Sequence, residues 1–287
     1  YSRAAQLYTE AGTQYKIAKD FELAADCYLE ARKIYQEKAK DRTRFINCYV
    51  EAAQCLKEIN PESAVKYYQQ AEHAQMSNNR FSQAAKYFQE VAKIQDTQLF
   101  DRDGAIESYK NAFEAYKSAN STTTAHGCLQ NVAELLSNNK QYMQAIEMFE
   151  KIASHYADEN STMSHQVTAN LYKALLCAFV QEVIVQGKAD TSYTQTQLEL
   201  YNSTYPSFYG TSESNFINDI ITAYNQCDLE AFQKSLNRQR YKLYQLSIDM
   251  LLPIKRILDK KETPNEIAAM SSTVEQDDID DVLNDLQ

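Results

Sequence analysis

The stretch Ala24-Ala-Asp-Cys-Tyr28-Leu-Glu-Ala31 decides the fold of this chain. An alanine is followed four residues later by an aromatic residue, and three residues after that by a small one. The frame returns at Ala64/Tyr68/Ala71, Ala105/Tyr109/Ala112 and Ala145/Phe149/Ile152, with first positions 40, 41 and 40 residues apart. A second frame lies half a period away, at Tyr8/Ala11, Tyr49/Ala52, Phe88/Val91 and Leu129/Val132. Two interleaved helical frames with one period predict a helix-turn-helix pair repeated at least four times.

The packing that these frames predict follows from helix geometry. Positions i, i+4 and i+7 fall on one face of a helix. A small residue there lets a neighbouring helix approach closely, and the ring beside it fills the groove. One pair cannot bury that face alone, so pairs stack and each contacts mainly its neighbours. We therefore expect Tyr28, Tyr68, Tyr109 and Phe149 to be buried between layers as packing residues.

Polar turns divide the chain into helices. Asn60-Pro61 places proline in a first helical turn, and residues 77–79 and 138–139 are polar breaks. The predicted pairs are 3–18 with 21–38, 43–58 with 61–76, 80–97 with 102–118, 122–137 with 141–155, and 164–186 with 191–204. After Tyr205-Pro206 the period is lost, and helices are predicted over 215–227, 229–236 and 243–258.

The pattern predicts an all-α fold in three parts. Residues 1–204 are predicted to form an α-solenoid of TPR-like helix pairs, a right-handed twisted sheet of antiparallel helices. A C-terminal helical bundle should cap its last apolar face over residues 205–261. The polar and acidic residues 262–287 are expected to be a flexible tail.

Composition narrows the function classes. The chain has 287 residues with only 5 Gly and 4 Pro, which favours long helices joined by short turns. Its net charge is −10, and the last 13 residues hold six acids and no base. The mildly acidic body argues against general nucleic-acid binding, which needs a broad basic face. No run of ~18 apolar residues or signal peptide is found, so no membrane span is expected.

No constellation of catalytic or metal-binding residues is found. The six cysteines are scattered without a CxxC spacing and are expected to be buried thiols in a reducing compartment. The four histidines fall in different repeats, and no Gly-rich phosphate loop or GxSxG is present. The acidic run at 277–285 lacks the central Gly and closing Glu of a calcium loop. We therefore expect no enzyme, no metal and no cofactor, and interpret the chain as a binding scaffold.

Five segments in order carry a resemblance to a known family. They are Asn79-Arg80-Phe81 with Ala84-Ala85-Lys86; Lys140-Gln141-Tyr142 with Ala145-Ile146 and Phe149-Glu150; Tyr172-Lys173-Ala174 with Leu176-Cys177; Tyr205–Phe208 with Ser212-Glu213-Ser214; and Met250–Arg256. Together these segments make the chain resemble the family of soluble attachment proteins (SNAPs), and most of all the alpha-type members of that family. These couple SNARE bundles to the ATPase N-ethylmaleimide-sensitive factor (NSF). The resemblance covers most of residues 1–258.

The resemblance implies an adaptor that binds assembled SNARE complexes. It would recruit and stimulate the ATPase for SNARE disassembly in vesicle fusion and intracellular protein transport, while the partner hydrolyses ATP. Arg80, Lys86 and Lys242 match basic positions that imply SNARE binding. Lys255 and Arg256 in the last helix, with Asp285 and the penultimate Leu286, imply ATPase docking. Two family lysines are replaced by Gly127 and Asn131, so the resemblance leaves the strength of SNARE binding open.

The resemblance also carries an expectation about the membrane and leaves alternatives open. The family's first helix and its apolar membrane-touching loop lie upstream of the matched region, and most of that segment is missing. We expect a cytoplasmic protein, peripheral on the cytosolic face of membranes. One alternative is a gamma-type relative. The other is a generic TPR-like scaffold that holds an unrelated peptide, although the usual TPR repeat is about 34 residues long and the period here is about 40.

Overall fold

The computed structural model describes residues 1–39, 41–159, 163–188, 190–239 and 245–260. Within those ranges the chain forms thirteen α-helices and no strand. They are α1 Ser2–Ile17, α2 Phe21–Ile34, α3 Arg42–Leu56, α4 Pro61–Met76, α5 Phe81–Thr97, α6 Arg102–Ser118, α7 Thr122–Asn138, α8 Tyr142–Glu159, α9 Ser164–Val180, α10 Ser192–Thr204, α11 Ser212–Asn225, α12 Leu229–Gln239 and α13 Gln245–Lys260. The prediction of an all-α protein built from consecutive helix pairs is confirmed.

Side-chain caps fix where several helices begin. The carboxylates of Asp20, Asp41 and Asp101 accept hydrogen bonds from backbone amides in the first turns of α2, α3 and α6. Asn60 caps α4 in the same way, with Pro61 in the first turn as predicted. Thr211 accepts from the amide of Ser214, so α11 begins three residues before the predicted start at 215.

The predicted helices 21–38 and 164–186 each change form before they end. The α-helical hydrogen bonding of α2 stops at Ile34 and continues as a π-helical segment, Tyr35–Ala39. Likewise α9 stops at Val180 and continues as Gln181–Val185. Apolar periodicity continues through both junctions, so the sequence pattern does not reveal the change in winding.

Five of the described helices stop at a non-glycine residue in the left-handed conformation whose following amide closes the turn. Lys19, Asn79, Asn120, Lys140 and Cys227 have φ between 53° and 62°. In each case the amide of the following residue bonds back to a carbonyl five positions earlier, as Asp20 N to Tyr15 O at 3.0 Å. This arrangement satisfies carbonyls that the helix end leaves without a partner, so the turns can be short.

The residues Tyr1–Leu135 form one compact unit, which we call unit 1. Its core repeats from pair to pair: Tyr28 packs with Ala24, Ala52 and Cys55, and Tyr68 occupies the same place one repeat later. Tyr28, Tyr68 and Tyr109 are all buried, as predicted. Tyr8 of the second frame is 42% exposed, because α1 packs mainly against α2 alone.

The described residues between Leu136 and Lys260 form a second compact unit, unit 2. Its centre is α9, which packs against α8, α10, α11 and α13. Phe149 of α8 is fully buried, as predicted, and the ammonium of Lys173 lies 5.8 Å from the centre of its ring. The division of the array from its cap at residue 204 stays a prediction, and the tail 262–287 lies outside the described residues.

Among the described residues, one helix is long and apolar enough to span a membrane by length and composition alone. It runs over Ser164–Val185, has a mean hydropathy of 1.3, and 78% of its most apolar window is buried within the protein. The sequence analysis did not foresee this candidate. Its burial by neighbouring helices is that of a core helix in a folded domain.

Candidate functional site

The first candidate site residues, Arg80 and Lys86, lie at the start of α5. One face of α5 packs into the core of unit 1 through the buried residues Ala84, Ala85 and Val91. Lys86 lies on the exposed face of the same helix. Arg80 precedes the helix and is also exposed. Neither side chain bonds to another described residue. Both cations are therefore available to an external acidic partner.

The structure does not bring these two residues into one cavity. Arg80 lines a cavity of about 520 Å³ where the α4–α5 turn meets residues 118–120 of the α6–α7 turn. Lys86 stands on the second turn of α5 and does not line it. The two cations lie near the same end of α5, but they are two separate charges and do not form one binding pocket together.

Other lysines of unit 1 are engaged within the protein. Lys57 and Lys93 both pair with Glu90, at 3.8 and 2.8 Å between Nζ and a carboxylate oxygen. One repeat earlier, Lys16 pairs with Glu51 at 2.8 Å. Partial burial lowers the pKa of Lys16, but the hydrogen bond and charge of Glu51 outweigh it, so the net pKa is raised. Such exposed pairs add little stability, yet they hold these ammonium groups beside carboxylates.

Gly127 and Asn131, which the resemblance matches to family lysines, lie one turn apart on α7. Gly127 is exposed, and a β-carbon added there would meet nothing within 4 Å. Asn131 is half-buried and follows at i+4, on the same face of the helix. The backbone of α7 therefore has room for a long side chain at position 127, and the missing charge is not forced by packing.

The C-terminal candidates are only partly within the described residues. Lys255 and Arg256 are half-buried on α13, directly after the buried residues Met250–Leu252 and Ile254. Both already take part in interactions within the protein. Lys242, Asp285 and Leu286 lie outside the described residues. The two described cations therefore lie on α13, where the packing of its buried residues holds the helix in place.

Three buried cysteines among the described residues have thiols that are poorly suited to chemistry. Burial raises the pKa of the Cys48 and Cys128 thiols to about 11, and that of Cys177 to about 12. Protonated thiols are poor nucleophiles and poor metal ligands. The described residues contain no group of three or more His, Cys, Asp or Glu side chains that could hold a metal ion.

One exposed aromatic residue was missed by the sequence analysis. Phe100, in the α5–α6 turn, is 82% exposed and has φ of 54°. Its neighbour Leu99 packs against the cluster that contains Tyr68 and Val91. The sequence could have indicated this exposure through the pair Leu99-Phe100, which stands directly before the capping Asp101. Only one of two adjacent residues can face inward at a tight turn, so the other must be exposed.

A family comparison covers almost the whole chain. Residues 1–259 match the model of the family described as "Soluble NSF attachment protein, SNAP". The chain belongs to the SNAP family. Its relatives include the beta-soluble NSF attachment protein of Bos taurus, 28% identical over 258 residues, covering 88% of this chain and 82% of that protein. The names of the family and these relatives describe attachment rather than a reaction, and this SNAP is an adaptor, not an enzyme.

Further comparisons give two more relatives and one solved structure. The alpha-soluble NSF attachment protein of Homo sapiens is 24% identical over 261 residues, covering 90% of this chain and 85% of that protein. A probable vesicular-fusion protein sec17 homolog of Neurospora crassa is 28% identical over 236 residues, covering 82% of this chain and 78% of that protein. A solved structure of a Podosopora anserina putative kinesin light chain with TPR-like repeats has a TM-score of 0.46 and 12% identity, covering 74% of this chain and 99% of that chain.

Proposed function

We propose that this SNAP binds assembled four-helix SNARE bundles and recruits the ATPase NSF to disassemble them in vesicle fusion. Membership of the SNAP family over residues 1–259 is the observation that carries the proposal. The relatives' names support the parts of the proposal that concern NSF and vesicle fusion, since these proteins are called NSF attachment proteins and a vesicular-fusion protein. In this role the adaptor works as a peripheral protein on the cytosolic face of membranes.

The SNARE-binding surface in this proposal lies on unit 1 and is electrostatic. Arg80 and Lys86 are exposed and bond to no other described residue, so their charges can steer an acidic helical bundle into contact. Lys242 is assigned to the same partner from its position in the sequence. Because exposed charges are screened over about 8–10 Å at physiological ionic strength, the attraction should weaken as salt is added.

A charge-reversal experiment tests this surface. Arg80→Glu with Lys86→Glu should weaken binding to an assembled SNARE bundle by about tenfold, mainly through slower association. The matched control is Lys66→Glu with Lys110→Glu, which makes the same charge change at exposed positions of α4 and α6. Unchanged affinity in the first pair, or an equal loss in both pairs, would contradict the assignment of Arg80 and Lys86.

A gain-of-function variant tests the same surface from the other direction. Gly127→Lys with Asn131→Lys adds two cations at the positions where family lysines are replaced. We expect tighter bundle binding that disappears at high salt, because the added attraction is long-range and screened. Gly127→Ala with Asn131→Ala controls for helix propensity, since it stabilises α7 without adding charge. Equal affinities in the lysine and alanine variants would mean that α7 does not face the partner.

The NSF-docking end in this proposal comprises Lys255, Arg256, Asp285 and Leu286. Residues 275–287 concentrate six acids, and Ile279, Val282, Leu283 and Leu286 have the spacing of one helical face that could form on binding. Leu286→Ala leaves the tail's charge intact. It should keep SNARE-bundle binding yet lose much of the stimulated ATP hydrolysis. Hydrolysis and disassembly at the parent's rate would leave the tail as a solubilising end only.

A further inference from the structure

A gap between α1 and α3 forms a cavity of about 320 Å³, which we call the α1–α3 cavity. Residues of α1 and α3 make its two walls, and the buried rings of Tyr28 and Tyr35 make its floor. Beyond the α1 wall, Lys16 bonds to Glu51 and Gln54 of α3, at 2.8 and 2.6 Å, and closes the gap at that end. The volume lies at the lower end of the range of ligand pockets, roughly 300–1,000 Å³, so there is room for one long side chain.

The next repeat fills the equivalent space with a ring. By the offsets of the two helical frames, Gln75 takes the place of Tyr35. In the same way Tyr87 takes the place of Cys48, which lies on the α3 wall of the cavity. Burial raises the pKa of the Tyr87 hydroxyl and the Gln75 side chain opposes that rise, so these two side chains lie next to each other. The α1–α3 cavity is therefore open because a small cysteine stands where the next repeat has a tyrosine.

The charges of the cavity favour a cationic ligand. Its lining contains the carboxylates of Glu10 and Glu51 and the guanidinium of Arg44. The charge of Glu51 is balanced by Lys16 at 2.8 Å. That of Arg44 is balanced by Asp41 at 3.5 Å. Glu10 accepts a hydrogen bond from a neighbouring amide but forms no ion pair with another described residue, so its negative charge remains to attract a cation.

The rings of the floor favour a guanidinium over an ammonium group. The protein already holds one guanidinium there, since the Arg44 guanidinium carbon lies 5.8 Å from the centre of the Tyr35 ring. A guanidinium is planar and weakly hydrated, so it stacks on rings and bonds to a carboxylate through two N–H groups at once. An ammonium group is a compact, strongly hydrated charge that does neither as well. Rings beside the carboxylate of Glu10 are therefore a suitable site for the side chain of arginine.

We propose that the α1–α3 cavity binds an arginine side chain of a partner protein, with the guanidinium beside Glu10 and the aliphatic stem against the tyrosines of the floor. In the repeat frame Asn47, which lines the cavity, corresponds to Lys86 of α5, and both are exposed. The cavity therefore opens on the face of unit 1 that carries Lys86. A partner along this face needs a base opposite Glu10 and an acid opposite Lys86, and this pattern of charges fixes its direction.

Titration of the full chain with N-α-acetyl-arginine amide, followed by NMR, tests the chemistry of the cavity. We expect saturable shifts of the backbone amide signals of Asn47 and Cys48. The citrulline compound has the same shape without the charge, and the lysine compound has the charge without the plane. Each should bind at least about fivefold more weakly. An arginine compound that binds no better than either of the others, or that leaves these amide signals unshifted, overturns the proposal.

A charge-removing variant identifies the carboxylate. Glu10→Gln keeps the size of the side chain and should weaken binding of the arginine compound about fivefold or more. Glu22→Gln is the matched control, at an exposed position in the first turn of α2, and should bind as the parent does. Parent affinity in Glu10→Gln, or an equal loss in both variants, overturns the role of Glu10.

A graft from the next repeat tests the location of the site. Tyr35→Gln with Cys48→Tyr copies the pair Gln75 and Tyr87, so the new ring should fill the α1–α3 cavity and abolish binding of the arginine compound. The protein should keep a cooperative thermal transition, because the same pair is accommodated one repeat later. A folded graft that binds with the parent's affinity overturns the proposal. If the graft does not fold, the comparison of Glu10→Gln with Glu22→Gln decides it alone.

Discussion

Helix α2 of unit 1 and helix α9 of unit 2 bury their side chains in different ways. In α2 only Ala24, Ala25, Tyr28 and Ala31 are buried, which is one stripe of the helix. In α9 every residue from Asn170 to Val180 is buried. A helix with one apolar stripe packs against sequence neighbours, whereas one that is apolar all round needs partners on every side. The periodic pattern therefore predicts packing partners in unit 1 but not around α9.

The difference follows from where the partners come from along the chain. Tyr28 packs with Ala52 and Cys55 of the next helix, α3. By contrast Phe179 of α9 meets Tyr224 of α11, with ring centres 5.6 Å apart at a near-perpendicular angle. Tyr172 meets Phe216 of the same helix at 6.1 Å. Unit 2 thus depends on contacts between residues more than forty positions apart, and changes there should be felt more widely.

The largest expected effect is the loss of a ring beside α9. Phe149→Ala should lower the free energy of unfolding by roughly 3–5 kcal/mol, because the ring is fully buried and its removal leaves a cavity. Urea denaturation measures the change. Met143→Ala, at a 45% exposed position on the same helix, should cost less than about 0.5 kcal/mol. Similar values for both variants would remove the distinction between core and surface in unit 2.

A smaller loss is expected from a buried carboxylate that joins α9 to α10. Glu182 is fully buried and accepts hydrogen bonds from the amides of Tyr193 and Thr194, at 2.9 and 2.7 Å. Glu182→Ala leaves these amides without an acceptor and should cost about 2–4 kcal/mol. Hydrogen exchange at α10 should speed up. Glu199→Ala, at an exposed position on α10, serves as the control, and an equal effect there would contradict this role of Glu182.

In unit 1 a buried carboxyl should make stability depend on pH. Burial raises the pKa of Glu72 to about 8, and one of its oxygens has no hydrogen-bond partner among the described residues. The native state holds the neutral acid, whereas the unfolded chain ionises near pH 4.5. Relative to higher pH, the proton on Glu72 therefore stabilises the folded protein. This stabilisation is complete below pH 4.5 and is lost as the pH rises to about 8.

Glu72→Gln should remove that part of the pH dependence. Between pH 5 and 9 the parent should lose roughly 1–3 kcal/mol more stability than Glu72→Gln, because the neutral amide does not titrate. Parallel denaturation curves at several pH values provide the measurement. If both proteins follow the same pH profile, Glu72 is hydrated in the folded protein. Glu62→Gln, at an exposed position of α4, should leave the profile unchanged.

The smallest expected effect concerns the turns that set the period of unit 1. Lys19 has φ of 62°, so Lys19→Gly should stabilise the protein by about 0.5–1 kcal/mol. The same change at Lys66, an exposed position inside α4, should destabilise it by a similar amount, since glycine weakens a helix interior. If both glycine variants changed the free energy of unfolding in the same direction, the left-handed conformation at Lys19 would not be a source of strain.

The contrast between the units marks how far the sequence predicts the structure. The alanine-aromatic frame predicts the buried Tyr28, Tyr68 and Tyr109 because each ring meets the next helix in sequence. Asn60-Pro61 predicts the start of α4 for an equally local reason, a cap and a first-turn proline. The burial of α9 by α11 and α13 could not be predicted, because it depends on distant segments and no period relates them.

The candidate site divides along a similar line. The exposure of Lys86 follows from the helical frame of α5, where Ala84, Ala85 and Val91 occupy the inward positions. The frame does not reveal that Lys57 and Lys93 share one carboxylate, Glu90, while Lys86 bonds to no other described residue, because rotamers and neighbouring helices decide such pairs. Nor does it reveal the cavity at Arg80, which two turns some forty residues apart create together.

Disassembly of a fluorescently labelled SNARE bundle by NSF and ATP tests the central claim most directly. We predict rapid disassembly with this SNAP present and almost none without it. Arg80→Glu with Lys86→Glu should slow the reaction at low protein concentration and recover much of its rate at high concentration, since binding and not chemistry is impaired. A bundle that stays intact with folded SNAP, active NSF and ATP would contradict the adaptor role.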